Sequence, residues 1–223
     1  MGRIVLHAAG CRAMTAETLR AMHRLPYGTL ASPDALRQMH RLRCDVFKKR
    51  LHWDIECPSD LDCDEYDAMD PVYALYLNDF EQVEGCWRIL PTTGPYMLKD
   101  IFPDLVETEA VPHNVAVWEI SRFAVSSLSP SYSSLASLHA VTARLLVTLI
   151  EFGMANRIKR FVAASDIRFE RILRRCGLSV HRMGKVQRIG ATPAVAGWIH
   201  VSQEHLDQVL DRCPVAIDEK QAA

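Results

Sequence analysis

Hydrophobic and polar positions alternate along the chain with periods that predict both helices and strands. A helix is expected over 32–50, because a serine N-cap, a proline at the first helical position and an acid in the first turn precede an apolar stripe. Runs of branched and bulky residues at 72–77 and 85–90 predict an antiparallel hairpin. A third run, at 115–125, predicts a central strand.

The second half of the chain continues this alternation. The predicted elements are a long helix, a buried strand, a helix, two further strands and an amphipathic helix, at 134–156, 160–165, 166–177, 180–187, 198–202 and 203–213. This order predicts a mixed α/β fold, in which a mostly antiparallel, twisted sheet carries helices on both faces. One domain is expected over 32–213, after a loosely ordered extension at 1–31 and before a frayed tail at 214–223.

Two charged residues interrupt the predicted central strand. Glu119 and Arg122 lie within the apolar run, and charges on a buried strand are costly unless they are paired or used. A regular strand would point them to opposite faces, whereas a bulge between them would bring both to one side, as is common beside active sites. The stretch alone is equally compatible with a core strand that carries two edge charges.

The segment at 51–70 is polar, acidic and irregular. Acidic loops are usually solvated, but twenty residues without a clear element are long for a compact domain and indicate a lid or binding loop. The glycine and terminal glutamate of an EF-hand are missing, so calcium is not expected.

Composition limits the possible functions. The chain has 223 residues and a net charge of -1, so no global field favours nucleic acid or a membrane surface. Seven cysteines without a CxxC pair favour reduced thiols in a cytoplasm. The nine histidines show no paired metal-ligand spacing, so a structural or catalytic zinc is not expected. No run approaches the roughly 18 apolar residues of a membrane span. A cytoplasmic location is therefore predicted.

Four motifs follow one another between residues 40 and 180. They are Arg-x-x-x-Phe at 43–47, the loop from Trp53 to Asp64-x-Tyr-Asp, Arg-Ile-Leu-Pro-Thr-Thr-x-Pro-Tyr-Met-Leu at 88–98, and Trp-Glu-x-Ser-Arg-Phe-Ala-Val at 118–125. One of them would be a weak signal. All four in this order resemble the bacterial acyl-homoserine-lactone synthase (autoinducer synthase) family.

The resemblance implies a GNAT-type acyltransferase fold, in agreement with the α/β order. It also implies two substrates: S-adenosylmethionine, and an acyl thioester carried by acyl carrier protein or coenzyme A. The amine of S-adenosylmethionine attacks the thioester carbonyl. The methionine carboxylate then displaces methylthioadenosine from its own γ-carbon and closes the lactone. S-adenosylmethionine is consumed as a substrate, and no cofactor is expected.

The resemblance also assigns site residues. Aromatic rings and carboxylates suit a sulfonium nucleoside, and guanidinium groups suit its carboxylate. The implied S-adenosylmethionine-binding residues are Arg43, Phe47, Trp53, Asp64, Asp67, Arg88 and Phe102. The implied catalytic residues are Glu119, Arg122 and Asp67. Glu119 is expected to order the amine or its base water, and backbone N–H groups of 122–125 to stabilise the oxyanion.

Two further assignments concern the acyl donor. Thr142, with Leu138 and Leu145, is expected to line the acyl pocket, although a threonine on a core-facing helix usually only packs. A basic patch is expected to dock the acidic carrier protein, the alternative being a solvated surface. Its residues are Arg157, Lys159 and Arg160.

Two other functions compete with this interpretation. The first is a GNAT-type N-acyltransferase that uses acyl-coenzyme A and another amine. Such enzymes usually carry a glycine-rich pyrophosphate loop after the central strand, but 126–134 contains no glycine. The second is a non-enzymatic signal-binding regulator, which would need a DNA-reading module, and no helix-turn-helix is evident.

Overall fold

A mixed sheet organises the protein. The computed structural model describes residues 2–8, 31–126 and 135–213, without the side chains of 135–139. The strands within these residues are β1 Arg3–Ala8, β2 Val72–Leu77, β3 Val83–Pro91, β4 Val117–Val125, β5 Arg160–Asp166, β6 His181–Arg182, β7 Gln187–Ile189 and β8 Thr192–His200. Their order in the sheet is β1-β2-β3-β4-β5-β8-β6, with β7 paired to β8. Neighbouring strands are antiparallel except β4 and β5, which are parallel.

Helices cover both faces of the sheet. They are α1 Pro33–Cys44, α2 Met97–Asp100, α3 Leu135–Ala155, α4 Ile167–Arg175 and α5 Gln203–Arg212. The Ser32 hydroxyl accepts a hydrogen bond from Ala35 N at 3.1 Å, so α1 begins at its predicted cap. A π-helical segment, Asp45–Arg50, continues α1. Short 3-10 turns occupy Pro58–Asp60, Glu65–Ala68 and Pro103–Leu105.

The core lies in layers on the two sides of the sheet. On one face, Met39 of α1 packs in a cluster with Leu75 and Cys86. On the other, α3 contributes Leu145 and Phe152 to a larger cluster that α4 and α5 complete. This arrangement confirms the predicted sheet with helices on both faces. Among the described helices, none combines the length and apolar character that a membrane crossing requires.

Three sequence-based expectations differ from the structure, and one of them is the strand predicted over 180–187, where the structure has the two short strands β6 and β7. Arg3–Ala8 form the edge strand β1 on β2, so the prediction of a loose extension is wrong for these residues. The signal was missed because Ile4, Val5 and Leu6 are all buried, which removes the alternation of a one-sided strand. The predictions for 9–30 and 214–223 concern residues outside the described ranges. The last strand runs over Thr192–His200 rather than 198–202, because its small residues carry a weak strand signal.

Gly184 provides a test of the packing beside β6. A Cβ at this position would clash with the backbone carbonyl oxygen of Leu105, whereas a Cβ at Gly94 would have no neighbour within 4 Å. Gly184→Ala should therefore lower the free energy of unfolding by about 1–3 kcal/mol, and Gly94→Ala should leave it nearly unchanged. Urea denaturation measures both, and equal stability of the two variants would contradict this packing.

Candidate active site

Arg122 occupies a β-bulge in β4. Arg88 pairs with Ser121 and Cys86 with Ala124, so between these pairs β4 has two residues where β3 has one. The φ angle of Arg122 is 54°, in the left-handed region that favours glycine. The bulge directs Arg122 to the same side as Ser121, so the bulged strand is the one of the two arrangements left open by the sequence that the structure shows.

A buried cluster of three arginines and three aspartates lies on this face. Arg43 donates from Nε to Asp62 at 2.9 Å, and from its two Nη atoms to Asp67 at 2.7 and 2.9 Å. The second pair is a bidentate contact, the strongest geometry for this ion pair. Because Arg43 is completely buried, these two carboxylates compensate for its lost hydration.

The other two arginines join the same carboxylates. Arg122 Nε lies 2.9 Å from Asp62, and its Nη2 lies 2.8 Å from Asp64. Arg88 forms a short ion pair with Asp64 and a longer one, 3.1 Å, with Asp67. Each arginine therefore meets at least two carboxylates, since Arg43 also lies 3.8 Å from Asp64, and the six charges balance.

The carboxylates come from one loop that folds back on itself. Asp64 caps the turn Glu65–Ala68, and the Asp67 carboxylate accepts from Asp64 N at 2.9 Å in a reciprocal capping box. The Tyr73 hydroxyl also donates to Asp67, at 2.7 Å. Burial alone would raise the pKa of Asp67, but the hydrogen bonds and charge of Arg43 outweigh it and hold that pKa far below its ordinary value. Asp67 therefore stays ionised.

Glu119 differs from the three aspartates of the cluster in its surroundings and in its pKa. It is 1% exposed, and it accepts from the backbone N–H groups of Met97 at 3.1 Å and Leu98 at 2.6 Å. Burial raises the pKa of Glu119 to about 7, although these hydrogen bonds and the charge of Arg88 oppose the change. A carboxyl group with this pKa exchanges a proton readily at neutral pH.

Met97 lies between Glu119 and two of the arginines. Its Sδ is 2.9 Å from Nη2 of Arg88 and 3.4 Å from Nη1 of Arg122. A thioether is a weak hydrogen-bond acceptor, so these N–H donors are only partly satisfied. The pair can therefore receive a stronger acceptor, such as a carboxylate.

Two aromatic rings border the cluster. Phe47 and Trp53 have ring centroids 4.8 Å apart, and the Arg122 guanidinium lies 5.4 Å from the centroid of Phe47. The buried Nε1 of Trp53 has no hydrogen-bond partner among the described residues. Phe102 does not join this ring pair; it packs in a separate cluster with Leu90 and other residues.

Comparison with known proteins decides the family. A family model described as autoinducer synthase matches residues 28–209. The acyl-homoserine-lactone synthase of Rhizobium radiobacter is 39% identical over 179 residues, which is 80% of this chain and 83% of that protein. The chain belongs to the autoinducer synthase family.

Solved structures of other synthases share the fold of this synthase. The AHL synthase LasI is 31% identical with a TM-score of 0.74, over 95% of this chain and 94% of LasI. The CoA-dependent acyl-homoserine lactone synthase BjaI, solved with SAM and isopentyl-CoA, is 25% identical with a TM-score of 0.73, over 95% and 90% of the two chains. The predicted family and GNAT-type α/β fold are both confirmed.

In this synthase, the remaining assigned residues lie outside the charge cluster. Thr142 and Leu145 are buried in α3, and Leu145 packs on the sheet face opposite α1. The side chain of Leu138 lies outside the described residues. Arg157 and Lys159 are exposed at the start of β5. The Arg160 guanidinium stacks over the Trp198 indole, 4.3 Å from the ring centroid.

Three residues of the synthase site escaped sequence reasoning. Asp62 is 2% exposed and joins Arg43 to Arg122, yet its neighbourhood suggested a solvated loop. The position of Asp62 two residues before Asp64 was the sequence signal that could have identified it. In the sequence, Tyr73 has the pattern of an ordinary strand residue and Met97 that of an apolar loop residue. Neither could be assigned to the site, because only the tertiary fold brings them to the charged groups.

Asp62 should be essential for the stability of the synthase. Asp62→Asn removes the charge that two buried guanidinium groups share, so it should lower the free energy of unfolding by about 3–5 kcal/mol. Asp60→Asn is the matched control, since Asp60 is exposed in the same loop and its ion pair with Lys49 is a surface contact. Chemical denaturation compares the variants, and similar losses for both would refute the role of Asp62.

Glu119 should make stability fall as pH rises. Its pKa is raised from 4.5 to about 7, so between these values the folded chain retains a proton that the unfolded chain has released. Glu119→Gln removes this difference. The stability of the variant relative to wild type should therefore increase by about 3 kcal/mol as pH rises from about 4 to about 8. Denaturation series across this range test it, and parallel profiles would contradict a buried, titrating Glu119.

Proposed function

We propose that this synthase acylates the amine of S-adenosylmethionine with an acyl thioester and then closes the homoserine lactone. One observation carries the proposal. Glu119 is a buried carboxylate with a pKa raised to about 7, and it accepts a hydrogen bond from the backbone N–H of Met97. The sulfur of the same methionine is the acceptor for one Nη atom of Arg88 and one Nη atom of Arg122. A proton acceptor and an anion-binding position thus lie side by side, as an α-amino acid substrate requires.

The substrate carboxylate binds Arg88 and Arg122 in this proposal. It replaces the Met97 sulfur, because an ionised oxygen is a much stronger acceptor than a thioether. The aspartates already hold the opposite edges of both guanidinium groups, so little reorganisation is needed.

The sulfonium and adenine bind toward Phe47 and Trp53. A ring face attracts a sulfonium cation, and the unpartnered Nε1 of Trp53 is available to a polar group of the ligand. Asp64, which is only half-buried, adds negative charge near the sulfonium. Phe102 lies in another cluster and is the weakest member of the assigned set.

In the acylation step, Glu119 accepts a proton from the substrate ammonium, directly or through a water. The free amine attacks the thioester carbonyl, the amide forms, the C–S bond breaks, and the thiol leaves with a proton. The oxyanion requires N–H donors. β4 pairs with β5 only as far as Glu119 and Val162, so the later part of its edge is free of β5 and supplies candidate donors.

In the lactonisation step, a carboxylate oxygen displaces methylthioadenosine from the γ-carbon. The C–S bond electrons neutralise the sulfonium, so no further base is needed. Arg88 and Arg122 hold the carboxylate for this attack, and Asp67 keeps Arg88 in place.

Acyl carrier protein is the proposed donor carrier. The exposed Arg157 and Lys159 precede β5, whose first residue, Arg160, pairs with Val117 two residues before Glu119, and these cations can attract an acidic partner. Arg160 contributes less, because Trp198 already covers its guanidinium. The acyl chain extends toward Thr142 and Leu145 by passing between the diverging ends of β4 and β5.

Turnover tests the assigned roles. With S-adenosylmethionine and an acyl thioester, the protein should release methylthioadenosine and a lactone. Glu119→Gln and Arg88→Ala should each lower kcat/KM at least a hundredfold, because each removes a group that acts on the reacting substrate. Arg168→Ala, which removes an exposed arginine paired with Asp166, should retain activity.

The same assay, read by mass spectrometry, compares acyl-carrier-protein with acyl-coenzyme A substrates. Near-normal turnover by both site variants would refute the site. Equal or better use of the coenzyme A thioester would refute the carrier assignment.

A further inference from the structure

His40, Cys63 and Asp67 meet at the outer edge of the charge cluster. Each offers one possible metal-binding atom, and these atoms lie within 4.8 Å of one another. Cys63 is exposed, while His40 and Asp67 are half-buried. The set combines an imidazole nitrogen, a thiol sulfur and a carboxylate oxygen, the three donor types that Zn²⁺ takes from proteins.

Two backbone contacts hold His40 and the loop in register. The Asp62 N–H donates to the His40 carbonyl at 3.0 Å, and the His40 ring nitrogen Nδ1 lies 2.7 Å from the Asp62 carbonyl oxygen. Because a carbonyl only accepts, Nδ1 carries the proton and Nε2 keeps a lone pair. This is the orientation that metal-binding histidines commonly have. Cys63 follows Asp62 directly, so the same contacts position its thiol.

We propose that His40, Cys63 and Asp67 form a zinc-binding site that inhibits the enzyme. Zn²⁺ displaces the thiol proton to solvent and binds the resulting thiolate, with water in the fourth position. The thiolate matters for charge, because the three arginines of the cluster are already balanced by the three aspartates. Its negative charge cancels one of the two positive charges of the metal ion and so reduces the repulsion between that ion and the arginines.

Inhibition follows from the position of Asp67. Its Oδ1 accepts from Arg43, Arg88 and Tyr73, so a metal ion that recruits this carboxylate weakens contacts that hold both arginines. The binding site stands independently of the proposed reaction, whereas its inhibitory effect rests on the proposed function. Sequence spacing does not reveal the site, because His40 and Cys63 come from different elements.

Binding is tested on the full chain by Zn²⁺ titration in competition with a chromophoric chelator. Co²⁺ serves as a second probe, because a bound thiolate gives a charge-transfer band. Cys63→Ala should weaken Zn²⁺ binding at least tenfold and abolish the band. His40→Asn should weaken it similarly, since the amide replaces the Nδ1 donor but not the Nε2 ligand.

Cys57→Ala, a half-buried thiol of the same loop, is the matched control and should bind as wild type does. Equal affinity of wild type and Cys63→Ala, or an equal loss in Cys57→Ala, would overturn the site.

Turnover with and without Zn²⁺ tests the consequence. Wild type should lose most of its activity on saturation, while Cys63→Ala should keep its activity in Zn²⁺. Zinc binding without inhibition of an active wild type would overturn the inhibitory role. If wild type makes no lactone even without metal, the proposed function fails, and the titrations still decide the binding site.

Discussion

Mutual neutralisation of three guanidinium groups and three carboxylates is the constraint on which this structure depends. Arg43 and Arg88 are fully buried, and an isolated buried charge would be prohibitively costly. Each arginine has two or three aspartate partners, so the cluster is tolerable only when all its elements are in place. The ion pairs consequently fasten α1, the acidic loop, β3 and β4 to one another, and the fold and the site form together.

The bulge in β4 is what allows one strand to supply two kinds of charged group. Without it, Arg122 would face the apolar layer beneath α3. A positive φ at a non-glycine residue costs on the order of 1–3 kcal/mol, which the ion pairs of Arg122 with the acidic loop offset. Burial raises the pKa of Glu119, because the backbone amides that donate to it only partly oppose that effect, whereas the hydrogen bonds and charge of Arg43 hold the pKa of Asp67 far below its ordinary value.

Local signals explain which parts could be predicted from sequence. The Ser32 cap and the hairpin strands were predicted, because capping and alternation are properties of neighbouring residues, whereas the charge spacing only left the bulge as one of two possibilities. β1 was missed because both its faces are covered. In the site, the motifs located Arg43, Arg88 and Glu119, but they could not show that Asp62 and Met97 complete it or that Phe102 packs elsewhere. Those facts arise only from contacts between distant segments.

The two contacts of Met97 have a mechanical consequence. Its amide holds Glu119, and its sulfur rests on the guanidinium groups of Arg88 and Arg122. A ligand that binds those groups must displace the methionine side chain, which belongs to the residue whose amide donates to Glu119. Ligand binding to Arg88 and Arg122 and the basicity of Glu119 are thus coupled through one residue, Met97. Such coupling favours binding of the two substrates in a fixed order.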